Sequence, residues 1–137
     1  MTPAPVPQDG TRGFGVRIPF AEYIGLYVVK QTPEGSELRV ETRPELINSW
    51  GVMTGGVIMS MLDFAMAAAV RGQLGPTVSV ATIDFSMSFM KAAKGDFYVE
   101  GRVLQPGNTF FCEAEARAAD GGLLAKGMGT FKPLPAK

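Results

Sequence analysis

A single carboxylate, Asp63, stands in the middle of the most apolar stretch of the chain, TGGVIMSMLDFAMAAAVR at 54–71, and two glycines, Gly55 and Gly56, stand at its start. A helix apolar on every side belongs inside a protein, and an acid there is costly unless something pairs or uses it. Each glycine costs a helix roughly 1 kcal/mol relative to alanine. In return it lets another group approach the backbone closely, where free N–H groups and the positive end of the helix dipole meet it. A helix end that polarises an electrophile and a buried acid that activates a nucleophile are the parts of an active site. Plainer readings stand beside this one. Asp63 pairs with Arg71 or a lysine, or the glycines serve only tight helix–sheet packing.

Composition narrows the chemistry. The chain has no histidine, which excludes Ser–His–Asp and Cys–His nucleophile systems, histidine-based dehydratases and most zinc sites. With one cysteine, Cys112, and scattered acids, no metal site is expected. Thirteen basic residues balance thirteen acidic ones. That balance lacks the basic footprint of nucleic-acid binding and gives little electrostatic protection against self-association. A lone cysteine fits a reducing, cytoplasmic setting. No apolar run with the flanks of a signal peptide opens the sequence. The 54–71 segment falls short of the roughly 20 residues of a membrane span, carries Ser60 and Asp63, and reads as a core helix.

The elements that must hold these residues follow from pattern and punctuation. Residues 1–13 are rich in proline and glycine and read as a loose tail, with a single domain over 14–137. A helical turn is expected over 20–24 after Pro19. Strands follow over 25–32 and 36–43, joined at Pro33-Glu34-Gly35 as a hairpin. A loop with Asn48, Trp50 and Gly51 leads to Thr54, whose hydroxyl suits an N-cap. Gly72, Gly75 and Pro76 end the helix. Over 77–90 a period of two places Val78, Val80, Thr82, Asp84, Ser86, Ser88 and Met90 on one side, and Ser79, Ala81, Ile83, Phe85, Met87 and Phe89 on the other. Three further strands, 97–105, 109–118 and 123–133, are separated by glycine turns in the manner of an antiparallel meander. One flat sheet covers only one face of a helix. A helix apolar all round therefore wants a sheet that curls about it, a second copy of itself, or both, which gives an α+β dimer.

The same residues carry a resemblance. NSWGVMTGGVIMSMLD has the form N-x-x-G-x-x-H-G-G with an acid seven positions on, supplied by Asn48, Gly51, Gly55, Gly56 and Asp63. TIDFSMSFMKAAKG matches S/T-V-D-x-x-x-x-F/Y-x-x-P-A-x-x-G from Thr82 to Gly95, with one residue fewer near its end and Ala92 in place of the common proline. Asp120-Gly121 and the run from Ala125 to Phe131 match a closing D-G, then A-x-G-x-G-T-F. Over residues 20–132 the chain resembles the hotdog-fold acyl-CoA thioesterases of the PaaI type. Thr54 departs from that family, which usually has histidine there.

The resemblance implies a hotdog fold, in which an antiparallel sheet of five to six strands wraps one long buried helix. It implies hydrolysis of an acyl-CoA to free acid and CoA. The Gly55 amide would be the carbonyl donor, Asn48 its helper, and Asp63 either the general base toward water or a nucleophile forming an anhydride. Thr82 holds a hydroxyl near the acid, and Thr54, Gly56, Met53 and Met90 line the substrate. For Asn48 the ordinary role of a loop asparagine stands equally, and for Thr82 the ordinary role of a strand threonine stands slightly ahead. Met59, Met61, Met66 and Met87 are expected in the core or the acyl pocket. CoA arrives with the substrate, so no separate cofactor is needed. Gly55 and Asp63 are eight residues apart on one helix, roughly 12 Å along its axis. Either one is uninvolved, or two protomers share a site, as in a two-fold dimer or a dimer of dimers. Other readings on the same fold are a non-catalytic acyl-CoA-binding module, a hydratase, or an interaction protein with a vestigial site.

Overall fold

The computed structural model describes residues 9–135. Helix α1 (Pro19–Ile24) leads into strands β1 (Leu26–Thr32) and β2 (Gly35–Val40). A 3-10 turn (Pro44–Leu46) precedes the long helix α2 (Gly55–Leu74). Strands β3 (Ser79–Phe89), β4 (Phe97–Gln105), β5 (Phe110–Ala118) and β6 (Leu123–Leu134) complete the chain. All six strands form one antiparallel sheet, ordered β1-β2-β4-β5-β6-β3, which curls around α2 in the expected α+β hotdog arrangement. Alternate residues of β5 (Phe110, Cys112, Ala114, Ala116) face the helix. By length and hydropathy α2 qualifies as a membrane span, yet nine of its residues are buried within the fold. Leu26, Leu38, Met61, Leu62, Met66, Val70, Val99 and Phe131 are fully buried, each stabilising by about 1.5–3 kcal/mol. The Cys112 thiol lies in the same core, and burial pushes its pKa up to about 12.

What seats α2 on the sheet is missing side chains. A Cβ at Gly101, in β4, would stand 2.4 Å from the Ala65 carbonyl oxygen and 3.0 Å from the Met66 nitrogen. Beside this contact the buried Ser36 hydroxyl donates to the Ala65 carbonyl at 2.6 Å. Gln31 Nε2 donates to the Ala68 carbonyl at 2.7 Å. Backbone cannot yield as a flexible side chain does. Gly101→Ala is therefore expected to lower stability by about 2–3 kcal/mol, measured by urea unfolding. Gly95→Ala, with nothing within 4 Å of the new Cβ, should be nearly silent.

Several boundaries and the faces of one strand differ from the sequence reading. β2 stops at Val40 rather than 43, because β1 begins only at Leu26, the partner of Val40. α2 continues three residues past Arg71. Gly72 does not end it but lies within it, where a Cβ would meet the Thr32 carbonyl at 2.4 Å. Gly75 caps the helix, its N–H donating to the Arg71 carbonyl. In β3 the simple alternation fails at Ile83. Thr82 pairs with Phe131 and Asp84 with Thr130, so Ile83 is an extra residue, a bulge that moves the following side chains to the other face. Val80 before the bulge, and Phe85 and Met87 after it, thus all pack against the core.

Residues 1–8 of the expected tail lie outside the described residues. Beyond them, Arg12 Nε donates to the Leu26 carbonyl, the Arg12 carbonyl accepts from Val28 N–H, and its guanidinium pairs with Glu41. Phe14 is buried, its ring 5.4 Å from that of Phe64.

Candidate active site

The predicted residues fall into two groups. The first surrounds the start of α2. Thr54 occupies the N-cap position, but its hydroxyl makes no capping hydrogen bond. Its methyl Cγ2 faces the first turn instead, 3.9 Å from where a Gly56 Cβ would be. The Thr54 carbonyl accepts from Val57 N–H at 3.0 Å. The N–H groups of Gly55 and Gly56, at the head of the helix, have no partner within it.

Asn48 fixes the preceding loop. Its Oδ1 accepts from Trp50 N–H at 2.9 Å and Val52 N–H at 3.3 Å, and its N–H donates to the Val52 carbonyl. The asparagine thus performs the turn role proper to its type, while its Nδ2 amide remains as a donor. Met53 N–H donates to the Ala93 carbonyl and Thr54 N–H to the Leu46 carbonyl, so the loop is stitched at both ends. These residues bound a cavity of about 400 Å³, with Asn48, Met53, Gly55, Ile58, Phe89 and Met90 in its wall.

The second group lies two turns along the helix. Asp63 is half-buried, and its Oδ1 accepts from the Thr82 hydroxyl at 2.6 Å. Among the described residues no cation pairs with Asp63. Arg71, the partner offered by the plainer reading, donates instead to the carbonyls of Phe14 and Pro76. Burial raises the Asp63 pKa above the usual carboxylate value, and the Thr82 hydroxyl pulls in the opposite direction. With Oδ1 occupied, Oδ2 is left for a water or an acyl carbon. This carboxyl is a stronger base than an exposed aspartate and has a fixed orientation.

The hydroxyl bond has a testable sign. Thr82 stabilises the ionised carboxylate, so Thr82→Val raises the Asp63 pKa further. For any reaction that needs Asp63 ionised, the acid limb of the pH profile of kcat/KM should move to higher pH in the variant. The wild-type limb should itself lie above the ordinary carboxylate range. A limb that does not move would remove Thr82 from the site.

Asn48, Met53, Gly55 and Met90 therefore share one cavity, while Asp63 and Thr82 form a pair away from its wall. Thr54 and Gly56 flank Gly55 without lining the cavity. Met61 and Met66 are core, Met87 is half-buried, and Met59 is 44% exposed on the side of α2 that the sheet leaves open. Trp50, 85% exposed, stands at the cavity rim. Phe89 is a wall residue of this cavity to which the sequence reading assigns no role in the site. A Cβ on Gly55 would lie 3.2 Å from its Cζ, so the glycine serves packing and the site together. The aromatic position in the second family stretch was the signal for it.

The Thioesterase superfamily model matches residues 51–125, a span that holds the α2 start, Asp63, Thr82 and Phe89. The chain belongs to the thioesterase superfamily. A protein of Saccharolobus solfataricus named as an esterase is 31% identical over 111 residues, covering 80% of this chain and 73% of that one. A protein of Halobacterium salinarum with the same kind of name is 28% identical over 122 residues, covering 80% and 81%. The solved structure of a conserved protein from Pseudomonas aeruginosa superposes with a TM-score of 0.83 at 30% identity, over 93% of this chain and all of that one.

Proposed function

We infer that this protein is an acyl-CoA thioesterase of the PaaI type, working as a dimer in which each active site draws on both protomers. The observation that carries this reading is a carboxylate with no cation beside it among the described residues, oriented by Thr82 on the same helix whose free N–H end opens into a cavity. Superfamily membership supports the hydrolase class. The axial spacing of roughly 12 Å that eight helical residues put between Gly55 and Asp63 supports sharing, since no single carbonyl reaches both ends of it.

The dimer reading has a second support. Among the described residues β3 is an edge strand of eleven residues bonded only to β6, and its Thr82 touches Asp63 on the open face of α2. A long unpaired edge invites another strand, and the open face bearing Met59 and Asp63 would be covered at the same time. A two-fold axis there would bring the α2 start of one protomer toward the Asp63 of the other.

In the reaction, Gly55 N–H, with Nδ2 of Asn48, holds the thioester carbonyl oxygen. Asp63 Oδ2 takes a proton from water as that water's oxygen bonds to the carbonyl carbon. The tetrahedral oxyanion stays on the Gly55 donor. As it collapses, the carbon–sulfur bond breaks and the CoA sulfur takes the proton back. Water as the direct nucleophile places the solvent oxygen in the released acid and never in the protein. CoA enters with the substrate and no other cofactor is called for. The experiment is thiol release from a panel of acyl-CoAs, with sedimentation to report the oligomer. Binding of acyl-CoA without thiol release would instead establish the non-catalytic module that Thr54, in place of the family histidine, leaves as the second reading.

A further inference from the structure

We propose that the Phe89 ring sets the size of the acyl group accepted at this site; the proposal rests on the thioesterase reading above. The ring stands end-on to Gly55, with Cζ, Cε1 and Cε2 at 3.2, 3.5 and 3.8 Å from the position of a Cβ there. It thus adjoins the residue whose N–H would hold the carbonyl, and the first carbons of any acyl group bound to that donor lie beside it. The rest of the cavity wall is chiefly apolar, with Ile58, Met53 and Met90 and the small Ala92 and Ala93. Such a wall suits an acyl chain. The amides and phosphates of the CoA arm need more polar partners than Asn48 and Lys91 supply, so that arm leaves by another route.

Phe89 is also placed to be a variable wall rather than a core residue. It ends β3, is 51% exposed, and precedes Met90, which is 49% exposed. Phe131, by contrast, is fully buried. The ring can be removed without opening a hole in the core, and the space it leaves adjoins the cavity directly.

The test compares the wild type, Phe89→Leu and Phe89→Ala by kcat/KM on acetyl-, hexanoyl-, decanoyl- and benzoyl-CoA, with melting curves to verify folding. The expected result is that Phe89→Ala raises kcat/KM for the bulkier groups relative to acetyl-CoA by about tenfold or more, with Phe89→Leu between it and the wild type. The acid limb of the pH profile should stay in place, because Asp63 is untouched. If truncation changes all substrates by one common factor, or changes none, the proposal is overturned while the thioesterase reading stands. If the wild type hydrolyses none of the panel, that reading fails and takes the proposal with it. Should the alanine variant not fold, the leucine variant decides by the same ratio.

Discussion

Asp63→Asn is expected to hydrolyse acyl-CoA roughly 10²–10⁴-fold more slowly than the wild type and to fold at least as well. Asparagine keeps an oxygen for the Thr82 hydroxyl but cannot take a proton from water. The stability half follows from the direction of the Asp63 pKa, which burial raises. A carboxyl whose folded pKa lies above its unfolded value binds its proton more tightly in the native state. Its contribution is favourable at low pH and is lost as pH rises from the unfolded value through the folded one. At neutral pH the native protein therefore holds an ionised group in a costly place, and the neutral amide relieves it. Thermal melting should show Asp63→Asn at or above the wild type at neutral pH, with the difference closing on acidification. Undiminished turnover by this variant would be fatal to the assignment of Asp63.

The second large effect isolates one N–H. Gly55→Pro deletes the amide donor at the first position of α2, where proline fits a helix. Thr54, with φ −59° and ψ 134°, already has the extended backbone that a residue before proline requires. The new Cβ meets the Phe89 ring, but Gly55→Ala brings the same Cβ and keeps the N–H, so the comparison between the two removes that contact. Proline should be slower than alanine by roughly 10²–10³-fold. Co-refolding Gly55→Pro with Asp63→Asn adds the dimer test. Each mixed dimer regains one site with both groups intact, so activity should reappear on mixing two nearly inactive proteins. Should the mixture remain as inactive as its components, the site lies within one protomer.

Much of this was legible in the chain because it is written locally. The apolar run with Gly55-Gly56 at its head announced α2, and the glycine turns at 106–108 and 120–122 announced the β4–β5–β6 meander. What stayed hidden depends on partners distant in sequence. Gly72 looks like a stop signal until the β1–β2 hairpin brings the Thr32 carbonyl against it. The bulge at Ile83 exists only because Asp84 bonds in step with Thr130 across to β6, and no alternation within 77–90 reveals it. Thr54 has the chemistry of a cap, but its rotamer turns the methyl to the helix. The site divides the same way. Asp63 drew notice by its apolar surroundings, whereas its bond to Thr82 and the seating of Phe89 on Gly55 needed the sheet folded round the helix.

The depth of Cys112 has a practical bearing on all of these measurements. With a thiol held protonated until about pH 12 and packed beneath the sheet, the native chain offers nothing to a disulfide-exchange dye. Colour developing in the cuvette then counts liberated coenzyme alone, even when a crippled variant has to be loaded at high concentration, and a slow colour that appears without substrate is a direct gauge of unfolding.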